Sequence, residues 1–540
     1  VTSPDPQPGA TDPRATPASD SPSSAASASG VPASASRPVP GARGDAATAP
    51  AASPWSAFIV VLAAGFMTLL DVSIVNVALP SIESGLGAGP SQIQWIVAGY
   101  SLAFGLSLVP AGRIGDLVGR RTMFLVGLTG FVLASAACGL ATDAGALALT
   151  RIVQGLFAGI LNPQVIALIQ ELFRGPARAR AFGFFGMTVG VSTAVGPALG
   201  GLLVSALGPE YGWRSVFLIN VPIGMVVIPL AWRRLRGVDE ASRAARAERA
   251  AARPDSAPSH GLGLDGVGLL LIAAIVLALM WPFISASENE RGLAGAPWWT
   301  VGVAALLLVL LTVWERQQDS RGESAVLPGA LVRNPGFVLG AGLGSAYFAG
   351  FTGIFIVTTL YFQQGAGMPA WEAGLAQIPF ALASAVTSAR SGRLVNRMGR
   401  RLVVLGLATM LVAIGAIIAV VELLSTQHWA VWLVSGLLAL AGAGSGLVIS
   451  PNQALTLADV PRDLSGTASG LLQTLQRLGA TVGLALMTSV FFTVIGAAPV
   501  GDLAVHSRAM GVSMAVTVVL LLVSLTVALV DARRRTPSAA

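Results

Sequence analysis

Between residues 58 and 530 the chain carries fourteen separate apolar stretches of about 20 residues, and all but three of its 33 basic residues lie outside them, one of the three, Arg214, at the very edge of its stretch. That pattern decides the solvent. About 20 apolar residues in helical conformation span the hydrocarbon core of a bilayer, and nothing else in the chain could bury so much hydrophobic surface. The composition agrees: 54% of residues are hydrophobic and 11% charged, where soluble domains carry about 25% charged residues. The expected fold class is all-α, a polytopic membrane protein with transmembrane helices at about residues 58–80, 92–111, 122–141, 146–172, 181–207, 213–232, 265–287, 298–314, 337–362, 372–389, 402–423, 429–449, 466–495 and 509–530.

The formal charge of +7 is not a nucleic-acid signal, because its placement follows the membrane. No lysine occurs, so every basic residue is arginine. With the N-terminus inside, 28 arginines fall on cytoplasmic segments, three at or beyond the outer face (Arg214 at the outer edge of its span, Arg291, Arg508) and two deeper within spans (Arg151, Arg477). The positive-inside rule then predicts both termini in the cytoplasm of a multi-pass protein. Tryptophan is an independent check: all eleven, Trp55, Trp95, Trp213 and Trp429 among them, fall at or near helix ends, at headgroup level. Cys138 stands alone, so there is no disulfide framework. Absence of lysine with abundant Ala, Gly and Arg points to a GC-rich bacterial genome, hence a bacterial cytoplasmic membrane.

Composition also divides the chain. Residues 1–54 are Ala, Ser and Pro with scattered charge and no apolar h-region, as in a disordered cytoplasmic tail rather than a signal peptide. A six-helix bundle is expected over 55–232, a cytoplasmic linker over 233–263, two inserted helices with their loop over 264–335, a second six-helix bundle over 336–532 and a short tail over 533–540. The linker holds a run, Asp239 to Arg249, that reads equally as a short basic surface helix or a solvated connection. The 6+2+6 division rests on an internal repeat. Gly112-Arg113, Gly119 and Arg120-Arg121 after the second stretch match Gly392-Arg393, Gly399 and Arg400-Arg401 after the tenth, at identical spacing. Duplicated six-helix halves are a transporter architecture with a site between them.

Four groups of residues carry chemistry. In the first loop, glycines permit a tight turn and close helix approach, Asp116 can cap a helix or pair with an arginine, and Arg120-Arg121 sit among anionic headgroups. The second copy has Asn396 in place of the acid. Asp71, about 13 Å below the outer end of its helix at about 1.5 Å per residue, is the one acid placed well inside any stretch. An unpaired charge there costs at least about 2.5–3.5 kcal/mol, so it marks function, as a proton carrier or as a fixed helix-packing group. Arg151, with Ile152-Val153-Gln154-Gly155, opens the fourth stretch about 8 Å below the outer face, deep enough to pair or to snorkel outward. In the fifth, the string Gly190 to Gly201 includes Gly196-Pro197 and Gly200-Gly201, which bend the helix and let a neighbour pack closely. In the thirteenth, Arg477 lies at mid-depth and either pairs structurally or lines a cavity.

Over about residues 55–532 these motifs, in this order, resemble the major facilitator superfamily, and within it the fourteen-span drug:proton antiporters of the EmrB/QacA type. The resemblance implies that Gly112–Arg121 is a latch holding the cytoplasmic side shut, weaker in its second copy, with a merely topogenic basic loop as the alternative. It implies that Leu70 to Pro80 is the first-span signature and that helices one and four are neighbours, so that Asp71 and Arg151 pair until Asp71 is protonated. It marks the span-five string as one found in antiporters, which favours export over uptake. The implied protein is a monomer in membrane lipid, with the proton as coupling ion and no cofactor.

The expected cavity has little negative charge. Polar candidates are Asn76, Gln154, Gln363, Gln377 and Gln473, with Phe104, Tyr347 and Phe351 as aromatics, and Glu372 only at the outer boundary. Together with two buried arginines this suits a neutral or weakly anionic amphiphile, such as an antibiotic or other secondary metabolite, over a dication. Other classes are disfavoured. An ATP-driven pump needs a phosphate-loop lysine, and the histidines, His260, His428 and His506, fall in loops without metal-ligand or catalytic spacing. A metabolite uptake symporter and a non-transporting sensor of the same fold remain as alternatives.

Overall fold

In lipid every backbone group must be satisfied within the chain, and the described residues are helical almost throughout, with no strand among them. The computed structural model describes residues 54–236, 265–286, 292–320, 329–458, 460–461, 464–496, 499 and 501–535. The N-terminal tail before Pro54, the linker run from Asp239 to Arg249 and the end of the C-terminal tail lie outside the described residues.

The first half holds α1 (Pro54–Leu86), α2 (Pro90–Val118), α3 (Arg120–Gly139), α4 (Ala144–Leu172), α5 (Gly175–Leu218) and α6 (Asn220–Arg234). Next come α7 (Gly266–Ala286) and α8 (Trp299–Ser320). The second half holds α9 (Pro335–Leu360), α10 (Ala370–Met398), α11 (Arg400–Leu423), α12 (Ala430–Gly446) continued by short α13 (Ile449–Thr456), α14 (Ser465–Ile495) and α15 (Leu503–Arg535). Local chemistry sets several starts. Asp143 caps α4 by accepting from the Ala146 amide, and Asn334 caps α9 by accepting from Gly336 and Phe337. Gly119 (φ 127°) and Gly399 (φ 54°) are the single residues that break α2 from α3 and α10 from α11, a conformation open to glycine. That is why both copies of the repeat carry glycine there.

Among the described residues eleven segments are long and apolar enough to cross a membrane, one of them Glu210–Arg234. The first leg of α5, α7 and α10 are not among them. Several boundaries move from those expected. The first helix runs on to Leu86, and the break between the fifth and sixth passes is Gly208 (φ 75°, ψ 173°) inside α5. α15 begins at Leu503, so His506 is buried in a helix rather than lying in a loop.

The two halves pack alike. α1 packs on α5, α2 on α4, and α3 on α4 and α6; correspondingly α9 packs on α14, α10 on α12, and α11 on α12 and α15. Two seams join the halves, α2 against α14 and α5 against α10. The α7–α8 hairpin lies on the first seam, where Ile272, Val276 and Met280 of α7 and Leu311 of α8 cluster with Val109 of α2.

Candidate functional site

Asp71 is completely buried in the middle of α1, yet it is fully partnered. The Arg151 Nη1 donates to Oδ2 at 2.8 Å. Gln154 Nε2 and Asn220 Nδ2 donate to Oδ1 at 2.8 and 3.1 Å. Arg151 also donates to the Gln154 Oε1 (2.8 Å) and the Ile96 carbonyl (3.3 Å), and its guanidinium lies 4.0 Å from the Tyr100 ring centroid. A buried pair of this kind survives because each desolvated charge meets its opposite and the remaining lone pairs are occupied. Five helices converge there. Gln154 and Arg151 sit three residues apart on one face of α4, Asn220 opens α6, and Ser135 of α3 accepts from the Asn220 Nδ2 at 3.0 Å. The arrangement is a buried carboxylate whose charge is balanced by one arginine and whose other oxygen is held by two amides.

Sequence inspection names Asp71, Arg151 and Gln154 but misses Asn220, Ser135 and Tyr100. The signal for Asn220 was present, a lone amide in an otherwise apolar run before Val221-Pro222. The side chains of Asn76 and Pro197 lie outside the described residues.

The glycine string on α5 touches this site through α1. A side chain at Gly196 would collide with the Ser73 hydroxyl, and one at Gly200 with Ile74. Ser73 itself donates to the Ser192 carbonyl at 3.0 Å. Gly190 faces Ser384 of α10 instead, whereas Gly201 stands at ordinary contact distance from Val77. Thus α5 presents one glycine face to the turn after Asp71 and another to the opposite half.

At the arginine-rich end the halves are closed on each other. Gly112 of α2 lies against the Gly466 carbonyl, and Gly392 of α10 against the Ala179 carbonyl, each too close for a side chain. Asp116 accepts from the backbone amides of Gly466 (3.0 Å) and Thr467 (2.8 Å) and from the Thr467 hydroxyl (3.1 Å), capping the start of α14 from across the seam. Arg120 holds that carboxylate at 3.1 Å and reaches Glu171 at 3.0 Å. In the second copy Arg400 instead pairs with Asp531 (2.6 Å) and donates to Asn452 (2.5 Å), while Asn396, Arg393 and Arg401 are exposed. Arg113 is buried, and Arg121 donates to the Trp232 carbonyl at 3.1 Å.

The remaining polar candidates do not converge on Asp71. Gln377 donates to the Thr359 hydroxyl (2.8 Å), Gln473 to the Ser469 carbonyl (3.4 Å), and Gln363 lies in the π turn after α9. Arg477 sets its guanidinium 4.3 Å from the Phe104 centroid, facing the first half across the α2–α14 seam. Toward the opposite end the α5–α10 seam opens into an apolar cavity of about 300 Å³, lined by Val191, Val195 and Leu199 on one side and Ile378 and Leu382 on the other.

Residues 61–484 match the model of the Major Facilitator Superfamily. The chain belongs to this family. It is a membrane transporter, not an enzyme, and its relatives are drug- and antibiotic-resistance exporters. The transporter is 35% identical to the probable actinorhodin transporter of Streptomyces coelicolor over 466 residues, 85% of this chain and 76% of that one. It is 32% identical to the puromycin resistance protein of Streptomyces alboniger over 497 residues, 89% and 92% of the two chains. The tetracenomycin C resistance and export protein of Streptomyces glaucescens is 31% identical over 450 residues, covering 82% and 77%. Among solved structures the proton:xylose symporter XylE superposes with a TM-score of 0.59 at 14% identity, over 88% of this chain and 94% of that one. That likeness is one of fold.

Proposed function

We propose that this chain is a proton-coupled exporter of antibiotic-like or other amphipathic secondary metabolites, working by alternating access. The observation that carries it is the buried Asp71 carboxylate, neutralised by Arg151 and packed through Ser73 on the glycine face of α5. Relatives named for actinorhodin transport, for tetracenomycin C resistance and export, and for puromycin resistance support this reading. In this reading the fourteen helices form a 6+2+6 array in a bacterial cytoplasmic membrane, both termini and the arginine-rich end face the cytoplasm, and a monomer is the working unit. The closed seams at that end make this the state with the cytoplasmic side shut.

Protonation from outside removes the charge that holds Arg151. The freed guanidinium keeps its own charge throughout the cycle and repartners, loosening α1 from α4 and, through Ser73, from α5. The Asp116 cap on α14 must break for the cytoplasmic side to open and reforms on return. One such carboxylate implies about one proton per cycle. Substrate and proton then act as linked ligands whose coupling is reciprocal.

The test is uptake into inverted membrane vesicles with an inside-acid gradient, using fluorescent dyes and natural-product antibiotics. Gradient-dependent accumulation with proton release from the lumen supports the proposal. Binding without driven accumulation of any panel member overturns it.

A further inference from the structure

Arg477 is a membrane-embedded cation with no counter-charge. Among the described residues it makes no ion pair, and its guanidinium rests on the face of Phe104. Asp71, the acid inside the first half, is already held by Arg151. An arginine at such depth is costly to keep unless something neutralises it.

Two buried hydroxyls, one on Tyr100 and one on the turn of α14 before Arg477, have no hydrogen-bond partner among the described residues. The Tyr100 ring stacks on Phe104 with centroids 6.1 Å apart, and its Oη is buried without a hydrogen bond. Thr474 precedes Arg477 by three residues on α14, so the two share a helix face, and its Oγ1 is likewise buried and unbonded. Tyr100 is 1% and Thr474 3% exposed. The threonine is informative because a helical hydroxyl normally donates to the carbonyl one turn back. Thr481 and Thr488 on the same helix do so, to Arg477 and Leu484. Below Thr474 the helices are in contact, Gly470 against Leu108, so Thr474 and Arg477 lie where α14 passes Leu108 and Phe104 of α2. Buried polar groups are nearly always satisfied in native proteins. An orphan hydroxyl stacked on Phe104, a second one turn before Arg477, and a cation without an ion pair among the described residues therefore describe a site awaiting an acceptor that carries negative charge.

We propose that Arg477, Thr474 and Tyr100, together with Phe104, form a subsite for the ionised acid group of the exported amphiphile, a carboxylate or an acidic phenolate. Arg477 supplies the charge and the two hydroxyls donate. The subsite spans both halves, Tyr100 and Phe104 from the first and Thr474 and Arg477 from the second. It also touches the coupling pair, since the Arg151 guanidinium lies 4.0 Å from the centroid of the same Tyr100 ring. A substrate anion there sits one aromatic ring away from the charge that Asp71 releases. This inference rests on the export reading and names the substrate class for it.

The test uses the full chain in lipid nanodiscs at neutral pH, with a hydroxyanthraquinone carboxylic acid (rhein) and its methyl ester as matched probes. The acid should bind at least about tenfold more tightly than the ester, as expected for a charge-assisted contact. Arg477→Gln should abolish that preference while leaving ester affinity within about twofold, which also shows that the variant is folded. Arg477→Lys should retain part of the preference, and Thr474→Val and Tyr100→Phe should each weaken acid binding about three- to tenfold. No acid preference in the wild type, or equal loss of both probes in Arg477→Gln, overturns the subsite. Vesicle transport in parallel separates the two claims. Acid preference in binding without driven transport overturns export and keeps the subsite; driven transport without acid preference overturns the subsite alone.

Discussion

Substituting Asp116 by Asn should unlatch the arginine-rich end by a calculable amount. The carboxylate accepts three bonds from across the α2–α14 seam, from Gly466 N, Thr467 N and Thr467 Oγ1, and two from Arg120 within its own half. Only the first three oppose separation of the halves. An asparagine can keep its carbonyl toward Thr467, but its amide then points an N–H at the Gly466 amide, and the surviving bonds lose their charge. At about 1.5–3 kcal/mol for a bond to a charged group, and about 1 kcal/mol for a neutral one, the closed state loses about 2.5–7 kcal/mol. The ratio of open to closed forms therefore rises at least about 60-fold and up to about 100,000-fold, at about 1.4 kcal/mol per factor of ten. Ser469, fully buried on α14 just beyond the latch, reports this. With Cys138 replaced by alanine and Ser469 by cysteine, labelling with an impermeant maleimide, applied to membranes exposing the arginine-rich face, should accelerate in proportion at constant pH. A rate within about twofold of the Asp116 parent would refute the latch, because a shift of about 2.5 kcal/mol or more cannot hide inside that margin.

Three further outcomes are expected. Asp71→Asn should fold, because the amide retains one acceptor for Arg151, but should abolish uphill export in the inverted-vesicle assay; export at the parent rate would show that the coupling proton sits elsewhere. Gly196→Leu should displace α1 at Ser73 and cost about 1–3 kcal/mol through overpacking, lowering the thermal midpoint and gradient-driven transport together; transport unchanged at equal expression would remove the α1–α5 contact from the mechanism. Arg400→Gln removes the guanidinium that pairs with the buried Asp531 and should destabilise the second half by about 3–5 kcal/mol, read by thermal unfolding in detergent, with Arg400→Gln/Asp531→Asn recovering much of the loss.

Much of the molecule was legible before folding because lipid simplifies the rules. A bilayer leaves helix as the form available to a long apolar stretch, tolerates few buried charges and sorts arginine to one side; the helical passes, the repeat at Gly112 and Gly392, and the residues Asp71 and Arg151 stand out on those grounds alone. What the linear chain conceals is which groups meet. Asn220 is 149 residues from Asp71 and reaches its carboxylate because α6 packs on α1 and α3. The Asp116 carboxylate accepts from Gly466 and Thr467, 350 and 351 residues away, whose amides are donors in any sequence. Nor does spacing reveal that Arg400, matched to Arg120 in the repeat, finds Asp531 rather than a carboxylate four residues back. Solvent partitioning acts on each residue by itself and so can be read along the chain, whereas pairing depends on how close glycine lets two helices come. The membrane passes and the costly charges belong to the sequence; their partners, and the unpaired donors on Tyr100 and Thr474, exist only once the two halves are packed.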